Sequence, residues 1–311
     1  MKRSTKVLIV IGIVLLVFAL ACGGYLLYQY ITLSSATNAI KDVKSNVEST
    51  TTATLPSAVE KELKSKDYDN NDGDDSSSYS YFNSESEYNY VAVDPMKRRI
   101  DIASLKRINP DVYAWIYIPN TQIDYYIMQE PTSDSHKYLW SDIYGNYSST
   151  GSLLTYTASD NVEDAHRVIY GHHLMGYPAM FTELVNYKSE SYTHSHPYVY
   201  MYYEDRVERW KVWAPQNVLA SDGVYTMPYI LGSDDYSSLL TNLHGNAPMT
   251  YAAKPDENTR TLVLSTCDSP YRIDDGRYVV CCVPDVAYYY DRHELVSMRS
   301  DKNESSSNSN S

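Results

Sequence analysis

The chain has 311 residues, and 26 Lys plus Arg stand against 39 Asp plus Glu, a net charge of -13 that phosphate backbones would repel, so no nucleic-acid partner is expected. Four cysteines, Cys22, Cys267, Cys281 and Cys282, show no CxxC or CxxH spacing, which argues against a zinc centre and a disulfide scaffold. No metal and no cofactor is expected. The 33 Tyr against 3 Phe place a hydroxyl on rings that most proteins leave bare, which suits strands and wet grooves more than a dry helical bundle.

Residues 7–28, VLIVIGIVLLVFALACGGYLLY, carry no charge, and at about 1.5 Å per residue they span roughly 33 Å, the thickness of a bilayer's hydrocarbon layer. A cleaved signal peptide would have a shorter apolar core, and a lipoprotein signal would stop at Cys22. This run continues into Leu26 and Leu27. The expectation is therefore an uncleaved transmembrane anchor over residues 7–33. Lys2, Arg3 and Lys6 precede it and no charge follows until Lys41, so the positive-inside rule keeps residues 1–6 in the cytoplasm and places the rest outside.

Residues 34–88 are rich in Ser, Thr, Asn and Asp, and 67–88 hold seven acidic residues with no Lys or Arg. That composition predicts a disordered acidic extracellular linker, with an end-to-end distance of roughly 40 Å as a flexible coil. Residues 297–311 read as a disordered tail.

The folded part is expected over residues 89–296. Asp94 and Pro95 make a helix start, and Met96, Ile100 and Ala103 give a short amphipathic face ending near Asn109. Eight short β-branched or aromatic runs bounded by Pro, Gly, Asn or Asp then read as strands: 113–118, 122–128, 152–156, 167–170, 198–203, 209–214, 261–266 and 277–283. Two helical interruptions are legible, one in FTELVNYK and one over Tyr236, Leu239, Leu240 and Leu243 behind a Ser233 cap. The class is mainly β, a barrel or a sandwich with a few short helices.

The chemistry concentrates in three places. Cys267 ends the run TLVLSTC, where alternation puts Thr261, Val263, Ser265 and Cys267 on one face; if Leu262 and Leu264 face the core, the thiol faces out. Cys281 and Cys282 lie inside an apolar run and read as packing residues. A thiol nucleophile needs a proton carrier, and VIYGHHLMGYPAMF projects His172 or His173 from a strand end. An oxyanion needs donors. Arg277 opens the strand after the Cys267 loop, so antiparallel pairing would bring the two to one rim. Arg272 sits in the middle of that loop, where a solvated side chain is expected.

These residues resemble the sortases. LSTCD, Arg277 in GRYVV ten positions after the Cys, and YGHHLMGYPAMF with its His 95 residues upstream look like that family's Cys, Arg and His elements. The likeness is closest to class B, which NPDVYAWIYIPNTQIDYYIMQ and KYLWSDIYGNYSSTGSLL also match in order, over roughly residues 94–283. Ser135 and His136 stand where class B members often carry Asn, and His173 follows the expected His. The resemblance implies an eight-stranded sortase-type barrel behind one membrane helix. It implies that Cys267 attacks a Thr carbonyl in a C-terminal sorting signal, that His172 handles the leaving-group proton, and that Arg277 steadies the oxyanion. Ser265, Thr266 and Asp268, which flank the thiol, are expected to touch substrate. The implied partners are surface proteins bearing a sorting signal and an amine of the peptidoglycan precursor, or a pilin Lys in a pilus-polymerising relative. The other class of reading is a non-catalytic surface binding module. An L,D-transpeptidase would need an SxGC-like motif, and papain-like enzymes place the Cys before the His.

Overall fold

The computed structural model describes residues 3–49, 94–130, 136–156, 165–226, 228–270 and 275–298. The acidic stretch from residue 50 to 88, most of the C-terminal tail, Ser135 and Arg272 lie outside the described residues. All eight expected strands are present: β1 Val112–Tyr117, β2 Asp124–Glu130, β3 Leu153–Tyr156, β4 His166–Tyr170, β5 Tyr198–Tyr202, β6 Arg206–Leu219, β7 Thr261–Cys267 and β8 Gly276–Tyr289. They pair in the order β8, β6, β5, β1, β2, β3, β4, β7, and β7 pairs back onto β8, so the sheet closes into an eight-stranded barrel. Closure removes the free sheet edge that an open sheet of this size would expose. The β2–β3 and β4–β7 pairs are parallel, and the others are antiparallel.

β6 and β8 run to 14 residues each, well past their expected ends. Pro215 and Pro284 suggested earlier stops, because proline cannot donate to a ladder. β5 pairs with β6 only between Val207 and Lys211, so Pro215 meets just one partner strand, while at Pro284 the register shifts before Val286. Beyond that bulge β8 leaves β7 and pairs with β9, Glu294–Ser297, which the sequence reading missed.

Strand alternation divides the interior into two cores. Leu262 and Leu264 of β7 pack inside the barrel with Ile169, Phe181 and Val280. Val263, on the opposite face, packs with Val168, Val279 and Cys281 under helix α4, Asp234–Asn246, through Tyr236, Leu239, Leu240 and Leu243. The thiol's face of β7 is thus a second core for most of its length and not a solvent face. Ser233 caps α4 by accepting from Tyr236 N, and Asp234 and Asp235 complement its first-turn dipole, as the spacing predicted. Burying Leu240 completely stabilises this layer by about 2 kcal/mol.

The Tyr enrichment has a visible use here: buried rings carry hydroxyls to backbone groups. Tyr236 Oη lies 2.7 Å from the Ala165 carbonyl, 2.8 Å from that of Thr259 and 2.9 Å from Thr261 Oγ1. His166 completes the network, with Nδ1 2.8 Å from Thr261 Oγ1 and Nε2 2.9 Å from the Val224 carbonyl. Burial pushes the His166 imidazole down from 6.5 to about 4. Between those values the unfolded chain binds the proton and the folded chain refuses it, so stability is full above pH 6.5 and falls as pH drops toward 4. The loss is on the order of 3 kcal/mol. Urea unfolding at pH 7 and pH 4.5 should show wild type losing about that much more stability than His166→Asn; equal losses would remove His166 as the cause.

The helices depart more from expectation. The single helix expected from Asp94 is split: a 3-10 turn at Pro95–Lys97, two extended residues Arg99–Ile100, then α2, Ile102–Ile108. The cause is Asp101, whose carboxylate accepts from Ser104 N at 2.8 Å and starts a new helix where the first would have run on. FTELVNYK forms a 3-10 segment, Thr182–Lys188, and Ser189 caps a short α3, Glu190–Ser195, behind it. At the N-terminus one helix, α1, runs over Arg3–Val47, past the boundary expected at residue 33. Residues 34–47 are therefore helix and not coil. Within α1 the residues from Val10 onward are apolar and long enough to cross a membrane, and their exposed side chains, Val10 to Ile31, bury nothing within the protein.

Candidate functional site

The rim where β4, β7 and β8 end collects the reactive residues. Cys267 and Arg277 are direct cross-strand partners at the open end of the β7–β8 ladder. Partners in such a ladder share a face and stand about 5 Å apart, so the sequence expectation for this pair holds at the level of register. On the other side of β7 the parallel register runs from His166↔Thr261 to Tyr170↔Ser265. The ladder ends there and the chain then turns, the His172 carbonyl accepting from Phe181 N at 3.1 Å. The strand that holds the thiol thus lies between β4, which leads into the two histidines, and β8, whose second residue is Arg277.

The backbone between β4 and the His pair needs glycine. A Cβ on Gly171 would stand 2.5 Å from Leu153 Cδ2 and 2.7 Å from the Phe181 ring, closer than packed atoms come. That close approach lets Gly171 N donate to the Ser265 carbonyl at 3.0 Å and lets the Gly171 carbonyl accept from Thr266 Oγ1 at 2.8 Å. β4 is thereby stitched to β7 immediately before both histidines.

Each histidine has a defined partner. His172 Nε2 lies 2.9 Å from the Leu139 carbonyl, and its ring lies 5.0 Å from that of Trp140. A carbonyl can only accept, so Nε2 carries the proton and Nδ1 is the basic nitrogen of the neutral ring. His173 Nδ1 lies 2.9 Å from the Cys267 carbonyl and donates to it, tying the loop to the backbone that carries the thiol. Both rings and the thiol are half-buried. Leu139 and Trp140 were not singled out from sequence; KYLW was read for resemblance only, and nothing in it signals a contact with a segment more than thirty residues away.

Ser265 and Thr266 were expected to meet substrate, and their side chains point elsewhere. Each is only 2% exposed. Ser265 Oγ lies 2.8 Å from Tyr225 Oη, whose ring stacks on Tyr170, and Thr266 Oγ1 is spent on Gly171. Their hydroxyls hold the strand ends in place. Asp268 is half-buried; its backbone N donates to the Gly276 carbonyl at 3.3 Å, and its carboxylate lies where a Cβ on Gly276 would be, 2.7 Å away. Arg277 Nη1 donates to the Gly276 carbonyl at 2.9 Å, which leaves the fork of the guanidinium at the ladder's end. A half-buried thiol with an arginine as its cross-strand partner, and two histidines at the end of the neighbouring strand, are residue types that acyl transfer from an amide can use.

Comparison with known proteins agrees with this arrangement. The Sortase domain family matches residues 116–285. Sortase B of Listeria monocytogenes is 26% identical over 188 residues, covering 58% of this chain and 73% of that protein. Sortase B of Staphylococcus aureus is 25% identical over 183 residues, with the same two coverages. Among solved structures, sortase B of Clostridium perfringens superposes with a TM-score of 0.53 at 25% identity, covering 59% of this chain and 98% of that one.

Proposed function

The chain belongs to the sortase family and is most like its class B members, and from that premise we propose that it is a membrane-anchored cysteine transpeptidase that cleaves a C-terminal sorting signal after Thr. His172 takes the Cys267 proton on Nδ1, and the resulting thiolate attacks the Thr carbonyl carbon. The tetrahedral oxyanion is steadied by Arg277, and His172 gives its proton to the departing amine as the amide C–N bond breaks. The product is a thioester on Cys267 and a free C-terminal fragment. An amine of the peptidoglycan precursor then attacks the thioester, His172 takes the amine's proton, the C–S bond breaks, and the departing sulfur recovers that proton from His172 as the thiol. The N-terminus lies in the cytoplasm, with the barrel outside against the cell wall. The observation that supports this reading above the others is the register that pairs Cys267 with Arg277 on the strand next to the one that leads into His172 and His173.

The direct test is incubation with Thr-containing sorting-signal peptides, with and without an amine acceptor, followed by intact-mass spectrometry. An acyl adduct that disappears when the amine is added is expected. A chain that forms no adduct with any such peptide and resists thiol probes would be a binding module. Supplying a pilin-type Lys peptide in competition with a peptidoglycan-type amine identifies the acceptor.

Arg277 carries its own expectation. Its backbone is fixed by pairing on both sides, with Val218 and Cys267, so its fork meets a developing oxyanion without a further ordering cost. Arg277→Ala should lower turnover by roughly 10²-fold. Arg277→Lys keeps the charge and loses the planar fork, and should stay clearly impaired. Arg272→Ala should cost under about tenfold, the scale of one solvated contact. A dead Arg272→Ala beside an active Arg277→Ala would reverse the roles.

A further inference from the structure

The far end of the membrane helix does not stop at the membrane. Ile40, Val43 and Val47 of α1 lie at i, i+3 and i+7, the spacing of one helical stripe, and all three are buried, at 7%, 3% and 4% exposure. They belong to the same core as Ile100, Ile102 and Leu105 at the base of the barrel. Between them Lys44 makes an ion pair with Asp124 at the start of β2. Asp124 is itself buried, and its other oxygen accepts from Arg98 Nη2 at 2.8 Å and from Trp115 Nε1 at 2.6 Å. Two cations and an indole thus converge on one carboxylate, and one of the cations comes from the anchor helix. The chain leaving α1 is also pinned: Asp101 N donates to the Val47 carbonyl at 3.0 Å, and Glu48–Ser49 pairs antiparallel with Arg99–Ile100. The described residues on either side of 50–93 are thus held together, Glu48–Ser49 against Arg99–Ile100.

We propose that residues 40–47 are a docked stem, an interface through which the barrel holds its own membrane anchor without relying on the chain between residues 50 and 93. The stem starts 12 residues beyond Tyr28, about 18 Å along the helix, so the barrel is held close above the bilayer at a set height. A coil of the same segment would let it range over roughly 40 Å. A membrane-borne substrate then meets the rim at a defined distance. The size of the interface fits its role: three aliphatic side chains are almost wholly removed from water there. The buried carboxylate adds specificity, since undocking would leave Asp124 with only Arg98 and Trp115.

This inference rests on the reading of residues 7–33 as a membrane anchor, and the experiment separates the two. A site for a specific protease is inserted after Ser77 of the full chain, and membranes from cells expressing it are isolated, cleaved and sedimented. Before cleavage the intact chain must sediment with the membranes through a high-salt wash; if it stays in the supernatant, the anchor reading fails on its own. After cleavage the barrel fragment is expected to stay in the pellet. The same chain carrying Val43→Asp and Val47→Asp, two changes confined to the stem, should release at least ten times more barrel on cleavage. Its peptide activity before cleavage reports that the barrel has folded. Release of the wild-type barrel on cleavage would overturn the proposal, and so would retention of the Val43→Asp, Val47→Asp barrel, which would show that something other than the stem holds it.

Discussion

Cys267→Ala should abolish the acyl adduct and turnover together, whereas Cys281→Ala and Cys282→Ala should keep both to within severalfold. The difference lies in where the fold puts three thiols that share one ladder. Cys267 is half-buried at the open end of β7, opposite Arg277. Cys281 and Cys282 straddle a register shift in β8, Cys281 packing under α4 and Cys282 inside the barrel, and neither has any exposed surface. Burial raises both thiols well above the ordinary cysteine range, so almost no thiolate is present on either at neutral pH. A thiolate is the attacking species, and a peptide has no route to a fully buried sulfur. Removing either core sulfur leaves a small cavity, costing about 1 kcal/mol of stability, which shows in a melting curve and not in the chemistry. Peptide mapping of a trapped adduct decides the matter: acyl mass on Cys281 or Cys282 would remove Cys267 from the mechanism.

What was legible in the sequence follows the strength of each local signal. Strand existence was legible because Tyr113, Ile116, Val168, Leu262 and Val280 fall in short β-branched or aromatic runs between turn residues, and all eight runs are strands. Strand ends were not, because Pro215 and Pro284 carry a stop signal that only the absence of a second partner or a bulge overrides, and neither is local information. The apolar stripe of α4 is read directly, since Tyr236, Leu239, Leu240 and Leu243 have one helical face and a Ser cap. The stem of α1 escaped notice because Ile40, Val43 and Val47 are three aliphatic residues diluted among Ser, Asn, Lys and Asp, a composition that resembles linker until the surface they cover is known. At the site, alternation placed Cys267 on one face with Val263 and Ser265, but it gave no account of what lay over that face. The long-range contacts were silent for the same reason: His172 with the Leu139 carbonyl, and Ser265 with Tyr225, depend on which loops barrel closure brings together.

His172→Ala should lower turnover by about 10² to 10⁴-fold, the range for losing a general acid and base, while His173→Ala should cost no more than about tenfold. Two adjacent histidines on one rim make this the sharpest division of labour in the site. Both histidines follow β4, whose ladder with β7 ends at Tyr170 and Ser265, and the YGH motif shared with the sortases is what points to His172 as the proton carrier. Its Nε2 proton is committed to the Leu139 carbonyl and Trp140 lies against the ring, so the ring's orientation is fixed before substrate arrives and Nδ1 is the nitrogen proposed to exchange protons. His173 instead spends Nδ1–H on the Cys267 carbonyl. That bond positions the nucleophile's backbone and exchanges no proton with the reacting atoms. Its loss is worth a net 0.5 to 1.5 kcal/mol, or about two- to twelvefold. A side-chain amide can replace such a donor, so His173→Gln should recover most of the wild-type rate, whereas His172→Gln, which can donate but cannot act as a base, should remain as slow as His172→Ala. The pH profile adds an independent reading: the His173 variants should keep the limbs of the wild-type curve, and the His172 variants should lose the one that reports the imidazole. Steady-state kinetics of the four variants on one peptide, with circular dichroism to confirm folding, measures all of this; a nearly normal His172→Ala beside a dead His173→Gln would move the proton carrier one residue along the chain.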